Sequence, residues 1–452
     1  MADTTQNNSF SSNLGAILAA VGSAVGLGNI WRFPYICGKY GGGAFLLVYL
    51  AFIFILGMTM MMAEFIIGRH TQLTPSKAFP LLAPKHPGWR YVGHFGILTT
   101  IITLSLYWVI SGWTTNYFVD ACSGAMSQLG TDAASVIAHF NAFVGSVWSP
   151  ILFLSVFGVV SMIVIMGGVQ KGIEGVSKVL MPVLLVLLLV LCGYSLTLPE
   201  AAKGVSYLLV PDFSKLNAEA ILAALGQALF SLSVGIGMMI VYGGYMPKND
   251  NIIKTTFWIT ASDCLIAVLA GIAIFPAVFS SGMEPAEGAG LVFKVLPVVF
   301  NAMGGIGQYV AIAFFLLLVV AALTSAISLL EYICVWLSEI LHCSRKLSAT
   351  LCTIATIGIA IVLSLSNGVW SDVTLFGNSL FSIADLLSGT YMFPLCALGI
   401  AIFFGWVMSI DDIHDELTNH GIITVPHFKA FMFLLRYIAP LALIVVLITG
   451  IF

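Results

Sequence analysis

The sequence predicts an all-α membrane protein with many spans. Of its 452 residues, 60% are hydrophobic and only 8% charged, where a soluble domain carries about 25% charged residues. Segments of about 20 apolar residues, enough to cross a bilayer as a helix, recur along nearly the whole chain. The first of them also interrupts itself: Gly22-Ser23-Ala24-Val25-Gly26-Leu27-Gly28-Asn29 places three glycines and an asparagine within eight residues. Hydrocarbon cannot satisfy free N–H and C=O groups, so broken backbone at membrane depth survives only where it lines a cavity.

Composition also excludes several classes. A net charge of −3 with no basic run points away from nucleic acid. The cysteines (Cys37, Cys122, Cys192, Cys264, Cys334, Cys343, Cys352, Cys396) are scattered, mostly within apolar stretches and never spaced C-x-x-C, so they read as small hydrophobes rather than zinc ligands. No H-E-x-x-H occurs, the histidines do not cluster in spans, and the glycine runs lie in helices rather than after strands. An enzyme is therefore not expected.

Hydropathy places eleven spans, near 13–37, 43–70, 89–121, 148–168, 176–196, 217–246, 252–280, 308–341, 347–366, 379–408 and 429–451. Before span one, Met1 to Asn13 is polar, lacks Lys and Arg, and has no signal-peptide pattern, so that span is expected to be retained. Basic residues set the orientation. Arg69, Lys77, Lys85 and Arg90 lie in the loop and helix ends joining spans two and three, and Lys171 and Lys178 in those joining four and five. Lys248 and Lys254 follow span six, Arg345 and Lys346 follow span eight, and Lys429 opens span eleven. The other side holds only Arg32, Lys39, Lys203, Lys215 and Lys294. The positive-inside rule then puts the N-terminus in the cytoplasm and the C-terminus outside, in the plasma (inner) membrane of the cell.

Two outer loops are long. Residues 122–147 are polar and rich in Ala and Ser. Residues 281–307 pass through Gly282, Glu284, Pro285, Glu287 and Gly290 into an apolar stretch with Pro297, expected as a hairpin folded back over an external vestibule.

Span six contains a second break, Ser231-Leu232-Ser233-Val234-Gly235-Ile236-Gly237. It shares Val-Gly-(Leu/Ile)-Gly with span one. Taken singly, glycine in a membrane helix serves close packing. Matching breaks at the head of two five-span halves instead predict an internal repeat with a site at the midplane. The organisation expected is a tail 1–12, a first repeat 13–196, a second repeat 217–408 carrying the hairpin 281–307, and an eleventh span 429–452.

These residues resemble the neurotransmitter:sodium symporters, in particular their bacterial amino-acid branch with the leucine-transporter (LeuT) fold. The resemblance covers nearly the whole chain. It includes Gly22 to Pro34, Gly41-Gly42-Gly43-Ala44-Phe45, Gln227 to Tyr245, Ala321-Ala322-Leu323-Thr324-Ser325, Asp385 and Arg436-Tyr437-Ile438-Ala439-Pro440. It implies a 5+5 inverted repeat with broken spans one and six, and sodium-coupled symport by alternating access. Half-helix N-termini suit a carboxylate, and exposed carbonyls at the opposing ends suit a dehydrated Na⁺.

By resemblance, one sodium site takes carbonyls of Gly22, Val25 and Ala321 with hydroxyls of Thr324 and Ser325. The other takes Ala24, Asn29, Ser231 and a span-seven residue, together with the substrate carboxylate. Here the chain departs from the leucine transporter: the expected Asn is Asp263, and the position one turn on is Ala267. An acid at mid-membrane is costly and functional by default. Asp263 is expected both to ligate sodium and to supply the negative charge that relatives draw from a later Glu or from chloride, which predicts chloride-independent transport with two Na⁺ per substrate.

The substrate pocket carried over comprises Ser23, Ala24, Gly26, Leu27, Gly28, Thr103, Tyr107, Phe230, Ser231, Ser233, Ile236, Ser325 and Leu329. Tyr107 is expected on the substrate carboxylate and Phe230 over it. Gly26 stands where monoamine transporters of the family carry Asp, which favours an amino acid. Thr103, Ile236 and Leu329 offer no charge, so the expected substrates are hydrophobic L-amino acids, aliphatic to aromatic. Arg32 and Asp385, with Gln227, are the expected outer gate. The inner gate is expected around Tyr245, Glu339 and Phe10, but the usual N-terminal Arg aligns with Asn7 and Phe10 replaces a Trp. Gly172 and Pro182 resemble a Gly-x9-Pro motif whose unwinding opens a water path to sodium. A proton-coupled amino-acid transporter and a non-transporting amino-acid sensor are the alternatives. Lipid bilayer and amino acid are the partners implied; the sequence does not set the oligomeric state.

Overall fold

The computed structural model describes residues 9–280, 282 and 291–449. Asn7 and the hairpin residues Glu284, Pro285, Glu287 and Gly290 lie outside them. Among the described residues nine helices are long and apolar enough to cross a membrane. They include Gly43–Thr71, Pro87–Ser123, Ile252–Ser280 and Gly304–Leu341. A tenth crossing is a bent pair, Asn13–Ala24 and Gly28–Lys39, joined at 47°. The expected sixth span is divided into Ala218–Ser231 and Met238–Tyr245, each too short to cross alone. Length and composition thus give nine or ten crossings, and an eleventh only when these two halves are joined.

The two breaks differ in kind. In span one, Val25 and Gly26 interrupt the helix briefly before a π-helical turn at Gly28–Arg32. In span six the chain unwinds over 232–237, with Ser233, Gly235 and Gly237 at φ of 53°, 97° and 86°. Glycine adopts such angles without steric cost, so two of these three positions are what the backbone requires. Both breaks are buried and pack among Pro87–Ser123, Ile252–Ser280 and Gly307–Leu341. We call the end of the bundle carrying Arg32 and Asp385 the upper end, and that carrying Phe10 and Tyr245 the lower end.

The loops hold more structure than their composition suggested. The polar 122–147 stretch contains a helix, Ala133–Gly145, capped by Asp132 on the amides of Ala134 and Ser135. The apolar part of the hairpin forms Leu291–Val295 and Leu296–Ala302. It is pinned by Tyr117 Oη donating to the Phe293 carbonyl at 2.9 Å and by Asn301 donating to the carbonyls of Met126 and Gly130. Phe293 and Lys294 face an upper vestibule, in keeping with a fold-back over its mouth. Cys122 is exposed and Cys343 partly so, and both are free; the remaining cysteines are buried as expected.

Candidate substrate and sodium site

Asp263 is fully buried, and the chain gathers donors around it from three other helices. Asn29 Nδ2 donates to Oδ1 at 2.7 Å and to the Asp263 carbonyl at 3.1 Å. Ser231 Oγ reaches the two carboxylate oxygens at 3.0 and 2.8 Å. Tyr49 Oη donates at 3.1 Å and lies 3.2 Å from Ser231 Oγ. The break in span one delivers Asn29, the last turn before the span-six break delivers Ser231, and both meet the acid on span seven. The donor set is oxygen-rich with one full charge, which suits a hard cation rather than a soft metal.

A second oxygen cluster lies on the other side of Gly22. Ser325 Oγ lies 3.2 Å from the Ser23 carbonyl and 3.5 Å from those of Gly22 and Val25. Thr324 Oγ1 donates to the Ala321 carbonyl at 3.1 Å, and the Thr324 Cβ borders Gly22. All these oxygens are neutral. The carbonyls of Gly22 and Val25 are available because the helix ends there.

Between the two clusters is a small cavity of about 30 Å³ lined by Ser23, Ala24, Gly26, Gly28, Thr103, Tyr107, Phe230, Ser233, Ile236, Ser325, Leu329 and Phe393. Every pocket residue expected from the sequence borders it except Leu27, which lines the vestibule above, and Ser231, which faces Asp263. Leu27 N–H donates to Tyr107 Oη at 3.1 Å, and Asn29 Oδ1 accepts from Gly26 N–H at 3.3 Å. A Cβ at Gly26 would overlap Ser325 Oγ and stand 2.8 Å from Tyr107 Oη, so only glycine fits. The single hydroxyl at the side-chain end, on Thr103, is engaged by the Thr99 carbonyl at 2.8 Å. That end of the cavity therefore presents an apolar wall.

Comparison with known proteins gives the family. The model of the sodium:neurotransmitter symporter family matches residues 7–130 and 138–452. The uncharacterized sodium-dependent transporter YhdH of Bacillus subtilis is 40% identical over 441 residues, covering 97% of this chain and 96% of its own length. A sodium-dependent transporter of Haemophilus influenzae is 35% identical, covering 99% of each. The chain belongs to the sodium:neurotransmitter symporter family. A crystal structure of MhsT in complex with L-phenylalanine superposes at a TM-score of 0.89 with 39% identity, over 98% of this chain and 99% of that one. This family member thus has the LeuT fold, and it is a multi-pass membrane protein of a sodium-dependent transporter family.

Above the cavity, a vestibule of about 480 Å³ opens to the upper end. No ion pair joins Arg32 to Asp385, although both line this space. Arg32 instead donates to Gln227 Oε1 at 3.0 Å and lies 4.5 Å over the Phe230 ring. Gln227 in turn holds the Gly28 carbonyl at 2.9 Å. The expected outer pair is therefore unlatched, with Phe230 and Phe393 as the floor of the vestibule.

The lower end is closed. Tyr245 Oη donates at 2.6 Å to Glu331, not to Glu339, and Arg345 pairs with Glu331 at 2.5 Å while donating to the Ile165 carbonyl. Glu339 lies about 12 Å further along the same helix by its rise per residue, where it accepts from the amide and hydroxyl of Thr74. Phe10 packs edge-on against Tyr245 and its amide donates to the Tyr245 carbonyl at 3.0 Å. Gly172 and Pro182 lie in wound helix: Val169–Glu174 is a π turn that runs directly into Gly175–Ser195.

Two residues at the candidate site were not singled out from the sequence. Tyr49 is one, carrying no signal beyond an aromatic in an apolar span. Glu64 is the other, fully buried on span two, where its carboxylate accepts from the amides of Gly235 (2.5 Å) and Met239 (3.1 Å). A lone acid among Met58 to Ile67 was the available signal. Glu64 takes up amides at the start of Met238–Tyr245, whereas at the span-one break the amides of Gly26 and Leu27 are held by side chains, Asn29 Oδ1 and Tyr107 Oη.

Proposed function

We propose that this protein is a sodium-coupled symporter of hydrophobic L-amino acids, aliphatic to aromatic, working by alternating access with two Na⁺ per substrate and without chloride. The observation that carries the reading is the cavity between the two oxygen clusters. It has a glycine where a carboxylate must approach, Tyr107 beside it, and an apolar far wall whose one hydroxyl is already bonded. The L-phenylalanine bound to MhsT supports the substrate class. Asp263 with Asn29 and Ser231 is the proposed first sodium site; the carbonyls of Gly22, Val25 and Ala321 with Thr324 and Ser325 form the second. Asp263 brings the negative charge into the site itself, which makes an added anion unnecessary.

Two ions crossing with a zwitterion gain about 2.3 kcal/mol each per 100 mV, enough for roughly a thousandfold accumulation before the ion gradients are counted. We place the N-terminus in the cytoplasm, the upper vestibule outside and the chain in the cell's plasma (inner) membrane, with spans one and six moving with their neighbours two and seven against the rest. The open upper vestibule and closed lower end suit an outward-facing state.

The test is binding and uptake of a panel of radiolabelled amino acids in proteoliposomes, with Na⁺ or K⁺ and with chloride or gluconate. Leucine- and phenylalanine-like substrates should bind and accumulate only with Na⁺, at the same rate in gluconate. Preference for a charged amino acid, accumulation driven by a pH gradient in Na⁺-free buffer, or binding without uptake would each overturn a stated part of the reading.

A further inference from the structure

The lower end has no N-terminal arginine to latch it, yet residues 9–11 are held tightly. Glu174, only 1% exposed, accepts from the Ser11 amide at 2.7 Å and from the Ser11 hydroxyl, while Lys178 pairs with it at 2.6 Å. Gln170, one turn earlier, donates to the Ser9 carbonyl at 3.0 Å. The carboxylate is seated so closely against Gly15 that a Cβ there would collide with it. Phe10, between the two serines, is bound by backbone to Tyr245. The tail is therefore clasped between the start of span five and the end of span six.

The clasp is also mechanically connected to the second oxygen cluster. Positions 174, 177, 178 and 181 lie on one face of a helix. Ser177 Oγ and Met181 Sδ border Gly22, at 3.4 and 3.1 Å from where its Cβ would be. Gly22 supplies one of the carbonyls of that cluster. The whole run begins in the π turn Val169–Glu174, a wound but irregular segment of the kind that recurs at functional sites.

We propose that Glu174 is a positioning residue for sodium: its bonds to Ser11 hold span five against Gly22 and substitute for the missing arginine latch. Sodium at Gly22 and the Glu174 clasp then stabilise the same arrangement, so each strengthens the other. Release of Ser11 frees the π turn and opens the lower end. This inference rests on the proposed assignment of the Gly22 cluster to sodium.

The experiment uses the full chain in nanodiscs. Hydrogen–deuterium exchange without sodium should show residues 9–24 and 169–181 losing at least about fivefold protection in Glu174→Ala, the loss of a charged hydrogen bond. In the same variant the sodium concentration for half-maximal substrate binding should rise by a similar factor, while the order of preference among amino acids stays unchanged. Glu174→Gln, which can still accept from Ser11, should recover most of both effects. Combining Glu174→Ala with Ser11→Ala should add little to the larger single effect. Unchanged exchange at 9–24 in Glu174→Ala, or strictly additive effects with Ser11→Ala, would overturn the clasp. A wild-type protein that binds no amino acid with sodium would instead overturn the proposed function, and the exchange result would stand apart from it.

Discussion

Gly26→Ala is the sharpest test of the cavity. A methyl group there must displace Ser325 Oγ from its place beside the carbonyls of Ser23, Gly22 and Val25, and push Tyr107 Oη away from Leu27 N–H. Losing the Ser325 contact costs about 1 kcal/mol, and leaving a buried N–H unpaired costs about 1–3 more. The sum of roughly 2–4 kcal/mol corresponds to about a 30- to 1,000-fold loss of substrate affinity. Gly28→Ala is the matched control, since its Cβ would meet only the edge of the Phe230 ring at 3.2 and 3.3 Å, which a small ring shift relieves. Scintillation-proximity binding at saturating sodium measures both variants, with thermal unfolding to confirm that each is folded. Gly26→Ala binding within about threefold of wild type would refute the close-packing reasoning, as would an equal loss in Gly28→Ala.

Asp263→Asn keeps the shape of the side chain but removes its charge, and should weaken sodium-dependent binding by roughly 10- to 100-fold; an unchanged sodium titration would remove Asp263 from the site. Arg345→Met leaves Glu331 buried without its cation and should destabilise the fold by about 3–5 kcal/mol, whereas Arg345→Met with Glu331→Gln should recover most of that stability in thermal unfolding. If the double variant melts with the single one, the pair is not the source. His139 donates or accepts at 2.9 Å with Asp120, and this hydrogen bond holds its pKa above the ordinary histidine value. Its contribution is thus fully present below about pH 6.5 and is lost as pH rises through the raised value. Rate-corrected hydrogen exchange of 133–145 should show weaker anchoring at pH 8 than at pH 6, and His139→Gln should abolish that difference; equal protection at both pH values would count against it.

Much of the fold was readable because its causes are local. Apolar runs of bilayer length mark spans, and glycine clusters inside them mark breaks, since each breaks the helix where it stands. Asn29, Ser231 and Asp263 lie together in space, and Asp263 itself is visible in the sequence as an acid in hydrocarbon. What was not readable depended on distance through space. The helix Gly307–Leu341 carries Glu331 and Glu339, and nothing in the chain says which one Tyr245 reaches. Arg345 settles it by folding back over the helix end onto Glu331. The Arg32–Asp385 pairing depends on whether the upper end is open, which is a property of state rather than of sequence. Glu64 was overlooked because its partners are backbone amides across the core, and backbone carries no sequence signature.

Glu64 has a consequence for how a ligand can lie. The two breaks are near-copies in sequence, and near-copies would let a zwitterion bind either way round. A side-chain carboxyl group seated on the amides of one of them removes that degeneracy. The span-six amides are already taken by Glu64, while the span-one amides of Gly26 and Leu27 rest on the side chains of Asn29 and Tyr107, which a substrate carboxylate can displace. One buried side chain on a third helix thereby converts a pseudo-symmetric pocket into a polar one with a head and a tail. For the amino acid proposed as substrate, the direction of its dipole is thereby set before any of its side chain is read.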